Sequence, residues 1–467
     1  MKILFALHFP GYFRFFDTTI RKLAERGHHV MLAFDSPEKQ AEGAAALAGA
    51  TGAIETVEGP PARGDAWDDV AQAVRGGIDY ARYLDPYFAD APYLRDRMRK
   101  VLPPVFAGLG RFTTAGPAMA STLVRWFSTL EDAIPPSEAV DGYLRGLAPD
   151  LLVVSPLVMS RLRQVDLVKS ARNLGIPSAL CVASWDHLTT KGLMRVQPDC
   201  VVVWNEAQKR EAVDLHGAQL DRITITGAQP FDRWFDREPS LSRRDFCQQV
   251  GLPADRPFLL FTGSSRSISA PTAEQQFVRQ WVESLRGSSS STVQQLSALI
   301  RPHPYNAGHW AEVDFSGVSN VSIYPRGDLN PLTPKARADY FDSLYHAVGV
   351  VGINTSAMIE AAVIGRPVHT VLAHEFVDTQ MGTRHFQHLL PENGGFLKVA
   401  SNLQEHLAHL EETLEHPERN RAALARFVST FVRPNGLDRA CMPQLVELLE
   451  QQVGRAPVVE PVSSLRR

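Results

Sequence analysis

The sequence has few cysteines, little excess charge and no long apolar run. Its four cysteines among 467 residues show no CxxC spacing, so we predict neither a zinc site nor a disulfide framework, as suits a reducing cytoplasm. The net charge of -3 leaves no basic surplus for binding nucleic acid. No apolar stretch approaches the roughly 20 residues that span a bilayer, so we expect any membrane association to be peripheral, at the inner face of the membrane.

Two common nucleotide-binding signatures are also missing. No Gly-Lys-Ser/Thr follows a glycine-rich loop, and there is no GxGxxG, which argues against ATP hydrolysis and NAD binding. What is present is ordinary globular composition, with 44% hydrophobic and 21% charged residues. Since a single hydrophobic core stops growing at about 250 to 300 residues, this chain length predicts two domains.

Short apolar runs alternate with helical spacing in both halves of the chain. Residues 2–7 and 29–34 predict strands that flank a helix over residues 14–26, and the alternation returns over residues 151–226. A second series of strands and helices covers residues 258–372. Apolar runs of this length, separated by helices, predict parallel sheets that are covered on both faces.

The chain therefore divides into an expected series of segments. We predict a first α/β domain over residues 1–232 and a second over 240–430, followed by a helix over 436–452 and a disordered tail over 453–467. Residues 65–137 lack strand-like runs and are rich in aromatic and charged residues, which predicts a helical insertion in the first domain. Such an insertion shapes an acceptor pocket or a membrane-facing surface, or only elaborates the packing.

The stretch VVGINTSAMIEAAVIGRPV over residues 350–368 is the most informative one. A buried strand ends there, and Asn354, Thr355 and Ser356 then open a helix, which brings free backbone N–H groups and hydroxyls together. Such a corner suits a phosphate group. Glu360 follows about one turn later, where a carboxylate can accept hydrogen bonds from a ribose. The alternative is an ordinary capped helix with a solvated glutamate.

Two further loops follow predicted strands of the second domain. Arg301 and His303 belong to an RPHP sequence whose prolines set the direction of both side chains toward a phosphate; the alternative is a rigid turn with a surface histidine. The loop FTGSSRS lets the backbone approach a phosphate closely, and its arginine adds positive charge. Its candidate phosphate-binding residues are Gly263, Ser264, Ser265 and Arg266.

Together these motifs resemble those of GT-B glycosyltransferases. The resemblance rests on NTSAMIEAAVIGRPV, RPHP and FTGSSRS in the second half, and on MKILFAL with LAERGHHVMLAF in the first. It is strongest for bacterial surface-polysaccharide enzymes, which include CDP-glycerol glycerophosphotransferases, capsule transferases and UDP-GlcNAc 2-epimerases. It implies two Rossmann-like domains whose parallel sheets face across a cleft. It also implies that Ser356, with Thr355 beside it, holds a pyrophosphate and that Glu360 holds the ribose.

The sequence SWDHLTTKG over residues 184–192 is a dense polar motif of the first domain. It resembles an SWDNLTSKG-like signature of surface-carbohydrate proteins, and it is either part of a site or a hydrogen-bonded loop that closes the sheet. An inverting transferase needs a general base for the acceptor hydroxyl. The candidates are His8, Asp17, Asp186 and His187, among which the sequence does not choose.

A second polar cluster lies after the strand that ends near residue 372. Its spacings match no zinc pattern, and the family that the chain resembles generally needs no metal, so we predict donor contacts there, with His385 as the first choice. The members of the cluster are His374, Glu375, Asp378, Arg384, His385 and His388.

These predictions lead to one functional hypothesis and two alternatives. The hypothesis is an enzyme that transfers a sugar, or a sugar-like alcohol phosphate, from a nucleotide-diphosphate donor to a surface glycan or lipid-linked acceptor, with no metal and no cofactor beyond that donor substrate. The alternatives are a UDP-sugar 2-epimerase and a non-catalytic protein that binds nucleotide sugars. The sequence leaves open the donor, the acceptor, the stereochemical course and the oligomeric state.

Overall fold

The computed structural model describes residues 1–36, 53–112, 116–159, 161–326 and 333–453. These residues form two compact units, the first from residues 1–232 together with 431–453 and the second from residues 233–430. The disordered tail predicted over residues 453–467 lies outside the described residues except for Val453. No helix of the described part is both long and apolar enough to cross a bilayer.

The first unit is built on a sheet of seven parallel strands in the order β3-β2-β1-β4-β5-β6-β7. Alternate residues of the central strand β1 enter two cores, because successive strand side chains point to opposite faces. Phe5 packs with Phe16 in one core, and Leu4 packs with Val168 in the other. The strands are Lys2–Leu7 (β1), His29–Phe34 (β2), Ile54–Thr56 (β3), Leu151–Ser155 (β4), Ser178–Cys181 (β5), Cys200–Val203 (β6) and Ile223–Ile225 (β7).

Helices cover both faces of this sheet and fill the predicted insertion. The helices that follow β4 and β6 each end at a glycine with positive φ, Gly175 and Gly217, where other residues would be strained. The described residues between β3 and β4 contain helices and no strand. The helices are Phe13–Glu25 (α1), Asp68–Arg82 (α2), Pro92–Arg99 (α3), Pro117–Ala133 (α4), Glu138–Leu147 (α5), Gln164–Leu174 (α6), His187–Thr190 (α7) and Glu206–His216 (α8).

A buried ion network fastens the inserted helices to the sheet layer. Arg75 of α2 is fully buried and makes a two-bond contact with Glu131 of α4 at 3.0 Å. The same guanidinium bonds both oxygens of Asp166 on α6 at 2.8 Å. Arg63 and Lys169 add further bonds to these two acids. Removing one member would leave a buried charge without its partner, so this network holds the insertion in place.

The second unit contains six parallel strands in the order β10-β9-β8-β11-β12-β13. Its strands are Phe258–Thr262 (β8), Ser297–Arg301 (β9), Val321–Ile323 (β10), Gly349–Gly352 (β11), Val368–Val371 (β12) and Lys398–Ala400 (β13). Its helices are Asp232–Phe235 (α9, shared with the first unit), Arg243–Val250 (α10), Pro271–Arg286 (α11), Ser291–Gln294 (α12), Ala307–Trp310 (α13), Pro334–His346 (α14), Ala357–Val363 (α15), Leu403–Glu415 (α16) and Arg421–Phe427 (α17). Phe261 packs on Trp281 on one face, and Phe258 packs on Phe246 on the other.

The chain returns to the first unit after the second. The helix predicted over residues 436–452 begins at Cys441 and ends at Gln452 (α18). Leu445 and Leu449 of this helix join the core that contains Phe16 of α1. Arg433 forms an ion pair with Asp232 at 2.9 Å, which ties the returning segment to the end of the first unit's main portion. The last helix thus completes the first core.

Two parallel sheets with helices on both faces confirm the predicted α/β class with two Rossmann-like domains. The two edge strands Ile54–Thr56 and Lys398–Ala400 were not predicted, because each contains a single large apolar residue, whereas the equally short edge strands β7 and β10 contain two each. In a parallel sheet, all carboxyl ends meet at one edge, and ligands of such sheets bind there.

Candidate functional site

The loops after β8 and β9 lie against each other at the carboxyl edge of the second sheet. The backbone N–H of Gly263 donates to the carbonyl of Arg301 at 2.9 Å. A Cβ atom at Gly263 would lie 2.7 Å from the backbone nitrogen of His303. This close approach requires glycine. Two motifs that are 40 residues apart in the sequence are therefore brought into one place.

The loop that carries Arg266 is held by two residues that were not predicted. Arg266 donates from Nε to the amide oxygen of Asn306 at 3.2 Å, and Asn306 donates to the carbonyl of Ser264 at 2.8 Å. In addition, the carboxyl group of Glu274 accepts a hydrogen bond from the backbone N–H of Ser264 at 2.7 Å. Glu274 is fully buried, and this burial raises its pKa to about 7. Arg266 is thus partly engaged within the protein.

Arg301 is a buried cation at the end of β9. Its side chain is 7% exposed, and its guanidinium donates to the hydroxyl of Ser343 at 2.9 Å. The guanidinium also lies over the ring of Tyr340, 5.0 Å from the ring centre. Among the residues that the structure describes, no carboxylate lies within ion-pair distance of it. Burial lowers the pKa of Arg301, yet arginine remains charged in proteins, so among the described residues this charge has no acid at ion-pair distance.

Tyr340 connects this cation to the predicted ribose-binding glutamate. Its hydroxyl donates to Oε2 of Glu360, which holds the carboxylate on the same side as Arg301. Trp234 packs edge-on against the Tyr340 ring with 5.5 Å between ring centres. Burial and the neighbouring carboxylate raise the pKa of Tyr340, so the phenol stays protonated and remains a donor. Tyr340 was not predicted, because it lies within an ordinary helical stretch.

The helix after β11 begins directly after the three residues that were predicted to open it. It comprises only Ala357–Val363, and Ser356, which was expected to open it, is the exposed residue before it. Thr355 is half-buried and accepts the backbone N–H of Ala357 at 3.5 Å. Seven residues form barely two turns, so the dipole at this helix end is weaker than that of a long helix. Ser356 and Thr355 nevertheless lie at the same sheet edge as Arg301.

Asn354 and His385 bond to each other inside the protein. The amide nitrogen of Asn354 donates to the carbonyl of Thr379 at 2.7 Å, and its oxygen lies 3.2 Å from Nε2 of His385. Both side chains are buried. These bonds fasten the segment with the predicted polar cluster, which contains the short helices His374–Phe376 and His385–Leu389. No group of three potential metal ligands occurs among the described residues.

The polar motif of the first unit is bonded largely to itself. Asp186 accepts hydrogen bonds from Ser184 at 2.5 Å and Thr190 at 3.0 Å, and it forms an ion pair with Lys191 at 3.2 Å. His187 is 3% exposed, and its Nε2 lies 3.4 Å from the hydroxyl of Tyr12. Burial lowers the pKa of His187 to about 4, so its ring is neutral at pH 7.

The insertion and α8 clamp the backbone of the same motif. Arg82 of α2 donates to the carbonyls of Leu188, at 2.5 Å, and Gly192. Arg97 donates to the carbonyl of Thr190, and Nε2 of His216 lies 2.7 Å from the carbonyl of Leu188. None of these clamping residues was predicted, because nothing in their local sequence distinguishes them from other helix residues.

The two remaining base candidates occupy different surroundings. His8 directly follows β1 at the carboxyl edge, is half-buried, and has its ring centre 5.7 Å from that of Tyr12. Asp17 lies on the second turn of α1 and forms an ion pair with Arg21 at 2.6 Å. Tyr12 thus lies between His8 and His187, whereas Asp17 pairs with Arg21 of its own helix.

Comparisons with known proteins identify the fold. No family model matches the chain, and no curated protein matches it. Among solved structures, UDP-GlcNAc 2-epimerase from Neisseria meningitidis matches with a TM-score of 0.53 and 13% identity over 96% of this chain and 100% of that one. A glycosyltransferase from Rickettsia africae matches with a TM-score of 0.54 and 10% identity over 97% and 99%. The chain has a GT-B-like fold.

A third solved structure with a similar fold belongs to an enzyme with a different activity. The wall teichoic acid polymerase TagF matches with a TM-score of 0.50 and 10% identity over 97% of this chain and 88% of that one. At these identities the likeness concerns the fold alone, since one fold hosts many activities. The predicted relationship to this group of folds is confirmed, and the activity has to be argued from the residues of the site.

Proposed function

We propose that this protein transfers a sugar, or a sugar-like alcohol phosphate, from a nucleotide-diphosphate donor to a hydroxyl group of a surface glycan or lipid-linked acceptor. The observation that carries the proposal is Arg301, a guanidinium only 7% exposed with no carboxylate at ion-pair distance in the described part of the chain. A buried charge without a counter-ion is costly. An anionic diphosphate at this edge removes that cost.

The surroundings of Arg301 suit the other parts of such a donor. His303 and the backbone of Gly263 follow the adjacent strand ends and can contact the same diphosphate. Glu360, oriented by the Tyr340 hydroxyl, accepts the hydroxyl groups of the ribose. As the donor bond breaks, negative charge grows on the leaving diphosphate, and a fixed cation stabilises that charge in the transition state.

The similar structures support a nucleotide-linked substrate of this kind. The Neisseria epimerase was crystallised with UDP-GlcNAc bound, and the TagF crystal was soaked with CDPG. The four cysteines of this chain are buried and form no disulfide among the described residues, which suits the reducing cytoplasm in which we place the protein.

In this proposal the first unit supplies the general base, and we assign that role to His8. Asp17 and Asp186 are already in ion pairs with Arg21 and Lys191, so both carboxylates are engaged within the protein. His187 is neutral but almost fully buried behind Tyr12. His8 is half-buried at a strand end, where an acceptor hydroxyl can reach it.

Donor binding tests the proposal directly. We expect one of the UDP-, CDP- or GDP-linked donors to raise the melting temperature, since a ligand at 100 times its Kd adds about 2.7 kcal/mol of stability. Glu360→Gln is expected to weaken that donor at least tenfold, because hydrogen bonds to a charged group contribute about 1.5 to 3 kcal/mol. Tyr340→Phe is expected to weaken it about threefold to tenfold through loss of one neutral donor.

The matched control is Tyr345→Phe on the same helix, where the ring packs on Phe341 and the hydroxyl makes no hydrogen bond to any residue that the structure describes. This variant should bind the donor as the wild type does. If no donor stabilises the protein, or if Tyr340→Phe and Tyr345→Phe behave alike, the assigned donor site is wrong.

The competing function is 2-epimerisation, because epimerases match this fold with TM-scores as high as those of the transferases. Incubation with UDP-GlcNAc alone distinguishes the two activities. Formation of ManNAc without an acceptor would contradict the transferase proposal, whereas UDP release that depends on an added hydroxyl acceptor supports it.

A further inference from the structure

Exposed apolar side chains are concentrated in one segment of the first unit. Of the eleven large apolar side chains that are exposed in the described part of the chain, eight lie between Trp67 and Leu130. Scattered exposed apolar residues are normal, but such a concentration marks an interaction surface.

Helix α4 has two apolar faces, and only one of them is packed. Its inner face contributes Phe127 and Ala120 to small cores shared with α2. Its outer face carries Met119, Trp126 and Leu130, which are 42%, 54% and 36% exposed. At about 100° per residue these three side chains fall within about 40° of one another. A helix packed on one side normally presents polar residues on the other, so the outer stripe lacks the expected polar cover.

The loop between α3 and α4 adjoins this stripe. The rings of Phe106 and Trp126 both contact Phe127, at 4.9 and 5.0 Å between ring centres. Two other apolar side chains of the loop are open to solvent, Val105 at 73% and Phe112 at 46% exposure. The outer stripe of α4 and residues 99–112 are called the outer surface below.

The outer surface is also basic. Residues 97–130 include no Asp or Glu, but they include five basic residues, in a chain with a net charge of -3. Arg97 is bonded within the protein. The other four, Arg99, Lys100, Arg111 and Arg125, are exposed, and Arg99 also pairs with Asp96 at 3.7 Å. Aromatic and apolar side chains surrounded by basic ones match the chemistry of an anionic bilayer surface, with its apolar interior below negatively charged headgroups.

We propose that the outer surface binds the anionic face of a phospholipid bilayer. Trp126 and Phe112 enter the headgroup region, and the four exposed basic residues contact lipid phosphates. The proposal goes beyond the reaction proposed above and does not depend on it, because the surface lies on the inserted helices and needs neither donor nor acceptor.

Flotation of the full-length chain with vesicles tests this proposal without any substrate. We expect binding to vesicles of phosphatidylcholine mixed with phosphatidylglycerol, little binding to phosphatidylcholine alone, and weaker binding at high salt. Removing one basic residue, as in Arg111→Gln or Arg125→Gln, should lower partitioning about fivefold. The double variant Phe112→Ser, Trp126→Ser should abolish binding.

Matched controls come from residues of the same unit that are not part of the outer surface. Leu220 is 62% exposed and Arg210 is exposed, and both lie outside the outer surface. Leu220→Ser and Arg210→Gln should bind vesicles like the wild type. Melting temperatures of all variants should agree, since every substituted side chain is at the surface.

Three results would overturn the proposal. The first is no binding to anionic vesicles, the second is equal binding to neutral ones, and the third is unchanged binding of the double variant. Concentration-dependent dimers in gel filtration that the double variant abolishes, in the absence of vesicle binding, would instead assign the outer surface to a second copy of the chain.

Discussion

The polar loops at the carboxyl edges of the two sheets use their charges in different ways. In the first unit, the Asp186 carboxylate accepts hydrogen bonds from Ser184 and Thr190 and forms an ion pair with Lys191. The buried Arg82 donates to backbone carbonyls of the same loop. In the second unit, Arg301 is also buried, but it contacts the ring of Tyr340 and the hydroxyl of Ser343. A dense polar motif can therefore be bonded mainly within the protein, while a sparser one carries a cation with no acid at ion-pair distance among the described residues.

The difference follows from which residues hold each edge in place. In the first unit, the inserted helices supply charged groups, among them Arg82 and Arg97, that bond the loop from above. In the second unit, neutral amides perform this task for the segments that follow β11 and β12, whereas Glu274 and Arg266 bond the loop after β8. Gln380 donates to the carbonyls of Ile353 and Val371 at 3.0 and 3.1 Å, and Asn354 donates to Thr379. None of these bonds brings an acid to ion-pair distance of Arg301 within the part of the chain that the structure describes.

The largest expected effect separates catalysis in the first unit from binding in the second. On the proposed function, His8→Asn should lower kcat by about 10² to 10⁴, the usual contribution of a general base, and leave the donor Kd unchanged. His29→Asn is the control, because His29 lies at the opposite end of a neighbouring strand, where its Nε2 is 3.3 Å from the carboxylate of Glu55. Steady-state rates and donor titrations check both variants. A His8→Asn enzyme with normal kcat would contradict the assignment.

The next prediction compares how replacing each of the two buried arginines changes the free energy of unfolding. Arg82→Met should lower the free energy of unfolding by about 3 to 5 kcal/mol, because it leaves several buried carbonyls without donors. Arg301→Met should change it by no more than about 1 kcal/mol without ligand, since it removes a buried charge that has no acid at ion-pair distance among the described residues, while donor binding is lost. Urea unfolding of the two variants measures this contrast. Equal losses of stability would show that both arginines are structural.

A smaller effect distinguishes the two edges by the sign of their pH dependence. Burial lowers the pKa of His187 to about 4 and raises that of Glu274 to about 7. As pH falls from about 6.5 to 4, only the unfolded state takes up a proton at His187, so stability falls. As pH rises from about 4.5 to 7, the unfolded state loses its Glu274 proton while the folded state keeps it, so stability again falls.

Each of these two terms is on the order of 3 kcal/mol, and paired variants isolate them. His187→Gln should remove part of the acid-side loss, and Glu274→Gln should remove part of the loss toward neutral pH, when melting is followed from pH 4 to 8. Shifts of the same sign in both variants would contradict this description of the two edges.

Much of the architecture could be predicted from local patterns. The apolar runs of β8, β9 and β11, each four or five residues long and fully buried, predicted a parallel sheet and the strand ends that carry Gly263, Arg301 and Thr355. Edge strands with a single large apolar residue, such as Ile54–Thr56 and Lys398–Ala400, could not be predicted in this way.

The sequence by itself determined the α/β class, the two-domain organisation and the polar loops at the strand ends, because alternating apolar runs and the residues that follow them are local signals. Only the tertiary structure decided which of those polar groups are already satisfied. Asn354 bonds His385, Asp186 bonds Lys191, and Arg301 lacks an acid in the described chain. The physical reason is that hydrogen-bond and charge partners come from residues distant in sequence, such as Tyr340 and Arg82, which local patterns do not distinguish.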